Sequence, residues 1–153
     1  MPFFIPLPKG VAVVRDYLEQ GDYSICGYEH EICVERKNPD DFLTSITSDS
    51  KRFKQRLTEM ESWKVKIIVV EKQLSEILKM CDPHVKKAPR MIKGKVRLRA
   101  TSNKRKIHPN VVLGTVYSIF GKYQVPIFFA IDRSQAEEFT LGVLRKYYQI
   151  TNP

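Results

Sequence analysis

GDYSICGYEHEICVERKNPDDFLTSI, residues 21–46, is the stretch whose reading decides the fold. Within it, residues 31–37 alternate in part between apolar and charged side chains, which predicts a strand. On a strand Glu35 and Lys37 lie two apart and share one face. The next residues predict a strand-to-helix transition. Asn38 suits the N-cap, Pro39 the first helical position, and Asp40 and Asp41 the positive end of the helix dipole. Asp22 ends the preceding extended segment and, across a turn near Gly27, meets Glu35 from the side.

Two acids and a lysine so placed suit phosphodiester hydrolysis. A glutamate can hold a divalent cation while a lysine holds a water or a phosphate oxygen. Two hard oxygen ligands that leave other positions to water and phosphate are what Mg²⁺ prefers. An exposed Glu-x-Lys pair with no such neighbours would contribute little of any kind.

Outward from this centre, residues 11–15 and 23–26 read as further short strands. Helices are expected over 39–47 and 51–62, the second with Phe53, Leu57 and Met60 inward and Lys51, Arg52, Lys54 and Arg56 on other faces. Residues 65–70 form a continuous apolar run, the pattern of a strand buried on both sides. A helix over 73–80 follows. Later come a helix through Val112, Val116, Ile119 and Tyr123, a strand over 127–131, and a last helix over 134–149 with Ala136, Phe139, Val143 and Tyr147 on one face. Strands alternating with helices predict a three-layer α/β/α sandwich around a mixed sheet, one domain over residues 1–153 with an irregular start at 1–9.

The net charge of +9 is concentrated at 84–107. Lys86, Lys87, Arg90, Lys93, Lys95, Arg97, Arg99, Lys104, Arg105 and Lys106 occur there with no acid between them. Such a segment repels itself, belongs outside a core and attracts polyanions. Three cysteines (Cys26, Cys33, Cys81) at no ligand spacing argue against a disulfide framework or a zinc site, and His30 and His84 are isolated. No apolar run approaches a membrane span and no signal peptide is evident, so the cytosol is the expected compartment, and without a phosphate-binding lysine loop no use of ATP is expected.

The run resembles the core of the XPF-type structure-specific nuclease domain, with its restriction-endonuclease-like fold. That family carries Gly-Asp-Tyr, then Glu-Arg-Lys, then an Asp after three residues; here these are Gly21-Asp22-Tyr23, Glu35-Arg36-Lys37 and Asp41. Arg52-Phe53-Lys54-Gln55 and Lys66–Glu71 are similar to its next helix and strand, and the segments around His108 and Val125 resemble short phage and bacterial members. The resemblance spans roughly residues 10–149.

It implies a metal-dependent endonuclease for branched or flapped DNA, of use in DNA repair or recombination. Asp22 and Glu35 would hold Mg²⁺ or Mn²⁺ together with the Arg36 carbonyl, and Lys37 would orient the attacking water or steady phosphoryl charge. Arg36, Asp41, Arg52 and Gln55 would lend support, Glu71 more remotely, and a homodimer or a helper DNA-binding subunit is implied. Family members open with an Asp-x-Arg-Glu strand and carry a tandem helix-hairpin-helix domain, and neither is evident here. The missing first-strand motif favours, as an alternative, an inactive DNA-binding module of the same fold; a basic RNA-binding protein, further off, would explain the charge alone.

Overall fold

The apolar strings around Val34 and Val69 form two neighbouring strands of a three-stranded sheet. The computed structural model describes residues 6–84 and 106–153. In chain order these give β1 (Ile32–Lys37), α1 (Pro39–Ile46), α2 (Ser50–Glu59, with a 3-10 turn at Met60–Ser62), β2 (Val65–Val70) and α3 (Leu74–Lys79). After the basic segment come α4 (Pro109–Tyr123), β3 (Ile127–Phe129) and α5 (Arg133–Thr151). The sheet order is β1-β2-β3, parallel throughout, with Ile32 opposite Val65, Lys37 opposite Val70 and Ile68 opposite Ile127.

The expected mixed sheet is thus parallel in its strands, and among the described residues its antiparallel part is one bridge between Tyr23 and Val34. Residues 23–26 form no longer strand because a turn closes at once, Tyr28 N–H donating to the Ile25 carbonyl with Gly27 at φ +86°. Residues 11–15 are irregular, with Val13 and Val14 exposed. Among the described residues they pair with no strand, and strand preference is expressed through such neighbours.

Period-two alternation divides the strands between two cores. Cys33, Ile68 and Val70 face α1, α2 and α4, where Phe42, Leu43, Phe53, Leu57, Val112 and Ile119 pack. Ile32, Val34 and Val69 face α5 and meet Ala136 and Leu144, with the Phe128 and Phe139 rings stacked 3.8 Å apart. Helices on both faces of a parallel sheet make the three-layer sandwich. Cys33 is a core thiol, pushed up to about 12 by burial and then by the Glu35 charge.

Local capping sets the helix starts. Asn38 Oδ1 accepts the Asp41 N–H (2.9 Å), the His108 ring accepts from Asn110 N–H (3.1 Å), and Asp132 Oδ1 accepts from Gln135 N–H (2.9 Å). Helix α4 ends in a left-handed Gln124 just before Pro126. Trp63 is core, its indole N–H reaching the Glu29 carbonyl at 2.8 Å, whereas Tyr148 is exposed rather than core. Leu141 and Leu144 are buried and Phe139 half-buried, so these apolar residues of α5 pack inward. No helix among the described residues is long and apolar enough to cross a membrane.

Candidate active site

The C-terminal end of β1 and the residues hydrogen-bonded to its outer edge bring the expected acids and lysine together. The inner edge of β1 is spent on β2, with Lys37 O accepting from Glu71 N–H at 2.9 Å. The outer edge instead presents the Val34 carbonyl to the N–H groups of Asp22 (2.8 Å) and Tyr23 (3.0 Å). Two residues on, Arg36 donates its N–H to Asp22 Oδ2 at 2.8 Å. The same alternation puts the Arg36 carbonyl on that edge.

Gly21 is what lets the chain turn into this edge. It sits at φ +78°, and a Cβ there would stand 3.1 Å from both the Val34 carbonyl oxygen and the Cys33 side chain. Gly21→Ala is therefore expected to cost about 1–3 kcal/mol, read as a lowered thermal midpoint. An unchanged midpoint would show that the Asp22 segment can detach from β1 without consequence.

Glu35 and Lys37 share the face toward α2, as their spacing implies. Lys37 Nζ lies 2.9 Å from Glu35 Oε1 and 5.5 Å from the centre of the Phe53 ring. The second Glu35 oxygen, Oε2, receives Arg56 Nη2 from α2 at 2.6 Å. Sequence reasoning passed over Arg56 for Arg52, and it is Arg56 that the fold brings to Glu35. Arg56 falls three residues after Phe53 and four before Met60, inside the apolar stripe of α2, and a cation inside such a stripe was the available signal. Arg52 is exposed on the flank, and Gln55 spends its amide on Glu59 (2.9 Å). Asp41 is exposed and bound by the Asn38 amide at 2.7 Å, which makes it part of the α1 cap.

Arg36 points the other way. Alternation turns its side chain to the α5 face, where the guanidinium is fully buried and cannot reach a phosphate. Its Nε lies 2.8 Å from Glu71 Oε1 and its Nη2 3.1 Å from Glu137 Oε1, while its Cζ lies 5.5 Å from the Tyr23 ring centre. Arg133 reaches the same Glu137 oxygen at 3.2 Å. Burial first of all pushes the Tyr23 phenol up to about 12, so it stays protonated. Glu137 was not anticipated from the sequence, although an acid among Ala136, Thr140, Leu141 and Leu144 is the same signal as Arg56.

Of the basic residues, Lys106 is exposed. Lys86, Lys87, Arg90, Lys93, Lys95, Arg97, Arg99, Lys104 and Arg105 lie outside the described residues. The ends of their segment are drawn together where Asp82 N–H meets the Ile107 carbonyl at 3.0 Å.

Burial, and after it the negative charge of Glu35, hold the Asp22 carboxyl above its usual range, against the Arg36 N–H and the Lys37 charge. A raised carboxyl destabilises the fold wherever the unfolded chain is ionised and the folded one resists ionisation. The penalty is absent below the unfolded value of 3.8, grows as pH rises through the window above it, and is complete once the folded group has ionised. Asp22→Asn keeps an acceptor for Arg36 N–H and removes the charge. It is expected to raise the thermal midpoint at pH 7 and to lose that gain below about pH 3.8. A gain independent of pH would exclude this electrostatic origin.

A divalent cation between Asp22 and Glu35 would relieve the same repulsion. Among the described residues no three His, Cys, Asp or Glu side chains converge, and Asp22 and Glu35 are the two acids whose charges interact here. Each carboxylate oxygen has two lone pairs, and those already bonded can accept once more. Two oxygens with room for water and phosphate fit Mg²⁺ or Mn²⁺.

The ERCC4 domain profile matches residues 7–142, nearly the whole chain. The chain belongs to the ERCC4 domain family. No curated protein matches it. Among solved structures this ERCC4 domain is similar to XPF from Aeropyrum pernix, with a TM-score of 0.60 and 18% identity over 91% of this chain and 55% of that one. It is also similar to XPF from Aeropyrum pernix in complex with DNA, at a TM-score of 0.52 and 20% identity over 88% and 52% of the two chains. The fold is therefore that of the XPF nuclease, and the chain spans about half the length of those structures.

Proposed function

We propose that this ERCC4 domain hydrolyses phosphodiester bonds of DNA, with a preference for branched or flapped duplexes, and that it does so with one Mg²⁺ or Mn²⁺. The observation that carries the reading is the convergence of Asp22, Glu35 and Lys37 at one end of β1, with the Asp22 carboxyl held above its usual range by burial and then by Glu35. Family membership and the DNA complex of the similar XPF support nucleic acid as the polyanion.

Asp22, Glu35 and the Arg36 carbonyl are the groups that would hold the ion, which when bound polarises a phosphoryl oxygen and lowers the pKa of water. Lys37, held over Phe53 and against Glu35, directs its remaining protons toward the attacking water or the phosphoryl oxygens. The basic segment that ends at Lys106 takes the strands' backbone, with an affinity that falls as salt rises. A second copy or a helper subunit adds further DNA contact, and the exposed Tyr117 and Phe120 of α4 offer it an apolar face. The host compartment is the cytoplasm of a prokaryotic or virus-infected cell, where the chain serves DNA repair or recombination.

One observation favours the inactive DNA-binding module instead: both oxygens of Glu35 are already ion-paired. End-labelled duplex, fork, flap and single-strand DNA incubated with Mg²⁺ or Mn²⁺ separates the two. Metal-dependent cutting of the branched substrates is expected; tight, salt-sensitive binding with no cutting in either metal would replace the enzyme with the binding module.

A further inference from the structure

The two cations on Glu35 are not equivalent. Lys37 comes from the same strand, its side chain is 11% exposed, and it rests over Phe53. Arg56 comes from another element and its side chain is 35% exposed. A guanidinium that already meets water can leave its partner with little loss of solvation, whereas a buried ammonium cannot. The nearest acid on the same helix is committed elsewhere. Glu59 Oε2 accepts from Gln20 (2.8 Å) and Glu59 Oε1 from Gln55 (2.9 Å). Glu35 is thus the carboxylate that Arg56 pairs with, and the pairing is made at the oxygen pair that a metal ion would use.

We propose that Arg56 is a displaceable counter-ion of Glu35, seated on the carboxylate until a divalent cation takes its place, and that the released guanidinium then pairs with a phosphodiester oxygen of bound DNA. This deepens the metal-ion reading above and rests on it. A neighbouring positive charge opposes a second cation on the same carboxylate, so Arg56 weakens ion binding in the absence of DNA. Once released, it contributes a forked donor that matches a phosphate. The ion and the DNA are thereby coupled through one side chain, and the coupling is reciprocal.

The test is a Mn²⁺ titration followed by the EPR signal of the free ion, on the wild-type chain and on Arg56→Ala, Arg56→Gln and Glu35→Gln, each checked for its fold by circular dichroism. Arg56→Ala is expected to tighten Mn²⁺ about tenfold or more, and Glu35→Gln to weaken it. Arg56→Gln removes the charge with less loss of contact, and answers the question where the alanine variant fails to fold. Equal or weaker binding by the uncharged variants, with Glu35→Gln still weakening it, overturns the inference and leaves the metal site standing. Mn²⁺ bound by no chain, or equally by wild type and Glu35→Gln, overturns both. On a Lys37→Ala background, where strands stay intact, Mn²⁺ should tighten duplex binding about fivefold or more only while Arg56 is present. An enhancement undiminished by Arg56→Ala overturns the hand-over to phosphate.

Discussion

Asp22→Ala and Lys37→Ala are each expected to slow DNA cleavage by about 10²–10³-fold or more, measured under single turnover with enzyme in excess. The two variants fail for different reasons. Without Asp22 the ion loses one of its two carboxylates, and Arg36 N–H loses its acceptor at the outer edge of β1. Raising Mn²⁺ should therefore recover part of the Asp22→Ala loss, because a weakened site refills by mass action. Without Lys37 the ion site gains net negative charge, so Mn²⁺ binds at least as well while the chemical step slows. Excess metal cannot restore a missing proton donor. DNA affinity should stay within a few-fold in both variants, since phosphate contacts by a basic segment supply most nonspecific binding. Cleavage by Lys37→Ala at the wild-type rate would remove the lysine from the chemistry, and metal-independent cleavage would remove the ion.

The largest stability effect is expected at Arg36. Its guanidinium is fully buried and answers Glu71 and Glu137, themselves 9% and 1% exposed. Arg36→Met leaves two carboxylates in a low-dielectric layer with Arg133 still beside Glu137. Removing one member of such a buried set costs about 3–5 kcal/mol, which urea unfolding would read as a lower midpoint at an unchanged slope. Arg36→Lys keeps the charge but loses the fork, so it should fall between the two. Adding Glu137→Gln to Arg36→Met should restore part of the loss, since the penalty comes from the stranded carboxylate rather than from a missing attraction. A loss below about 1 kcal/mol in the single variant would show that the network contributes little. The site would suffer as well, because the Arg36 backbone holds Asp22 and its side chain anchors the end of β1 to α5.

The sequence by itself determined what depends on neighbours a few residues away. Strand β1, the Asn38 cap, the shared face of Glu35 and Lys37, and the alternation of helices with strands follow from side-chain period and capping chemistry, which act over one turn or one pleat. The motif linking Gly21-Asp22-Tyr23 to Glu35-Arg36-Lys37 was legible for the same reason, since a single turn at Gly27 carries one to the other. Where local preference lacked a partner it misled: Val13 and Val14 have strand character but, among the described residues, join no strand.

Only the tertiary structure decided which groups meet from a distance. Arg56 reaches Glu35 across 21 residues, Glu71 reaches Arg36 across 35, and Glu137 reaches it across 101. Spacing along the chain carries no signature of such pairs, since they exist once two helices have packed on opposite faces of the sheet. That packing sends Glu35 and Lys37 to one side and Arg36 to the other. It makes three consecutive charged residues into a candidate site, with a buried ionic anchor behind it.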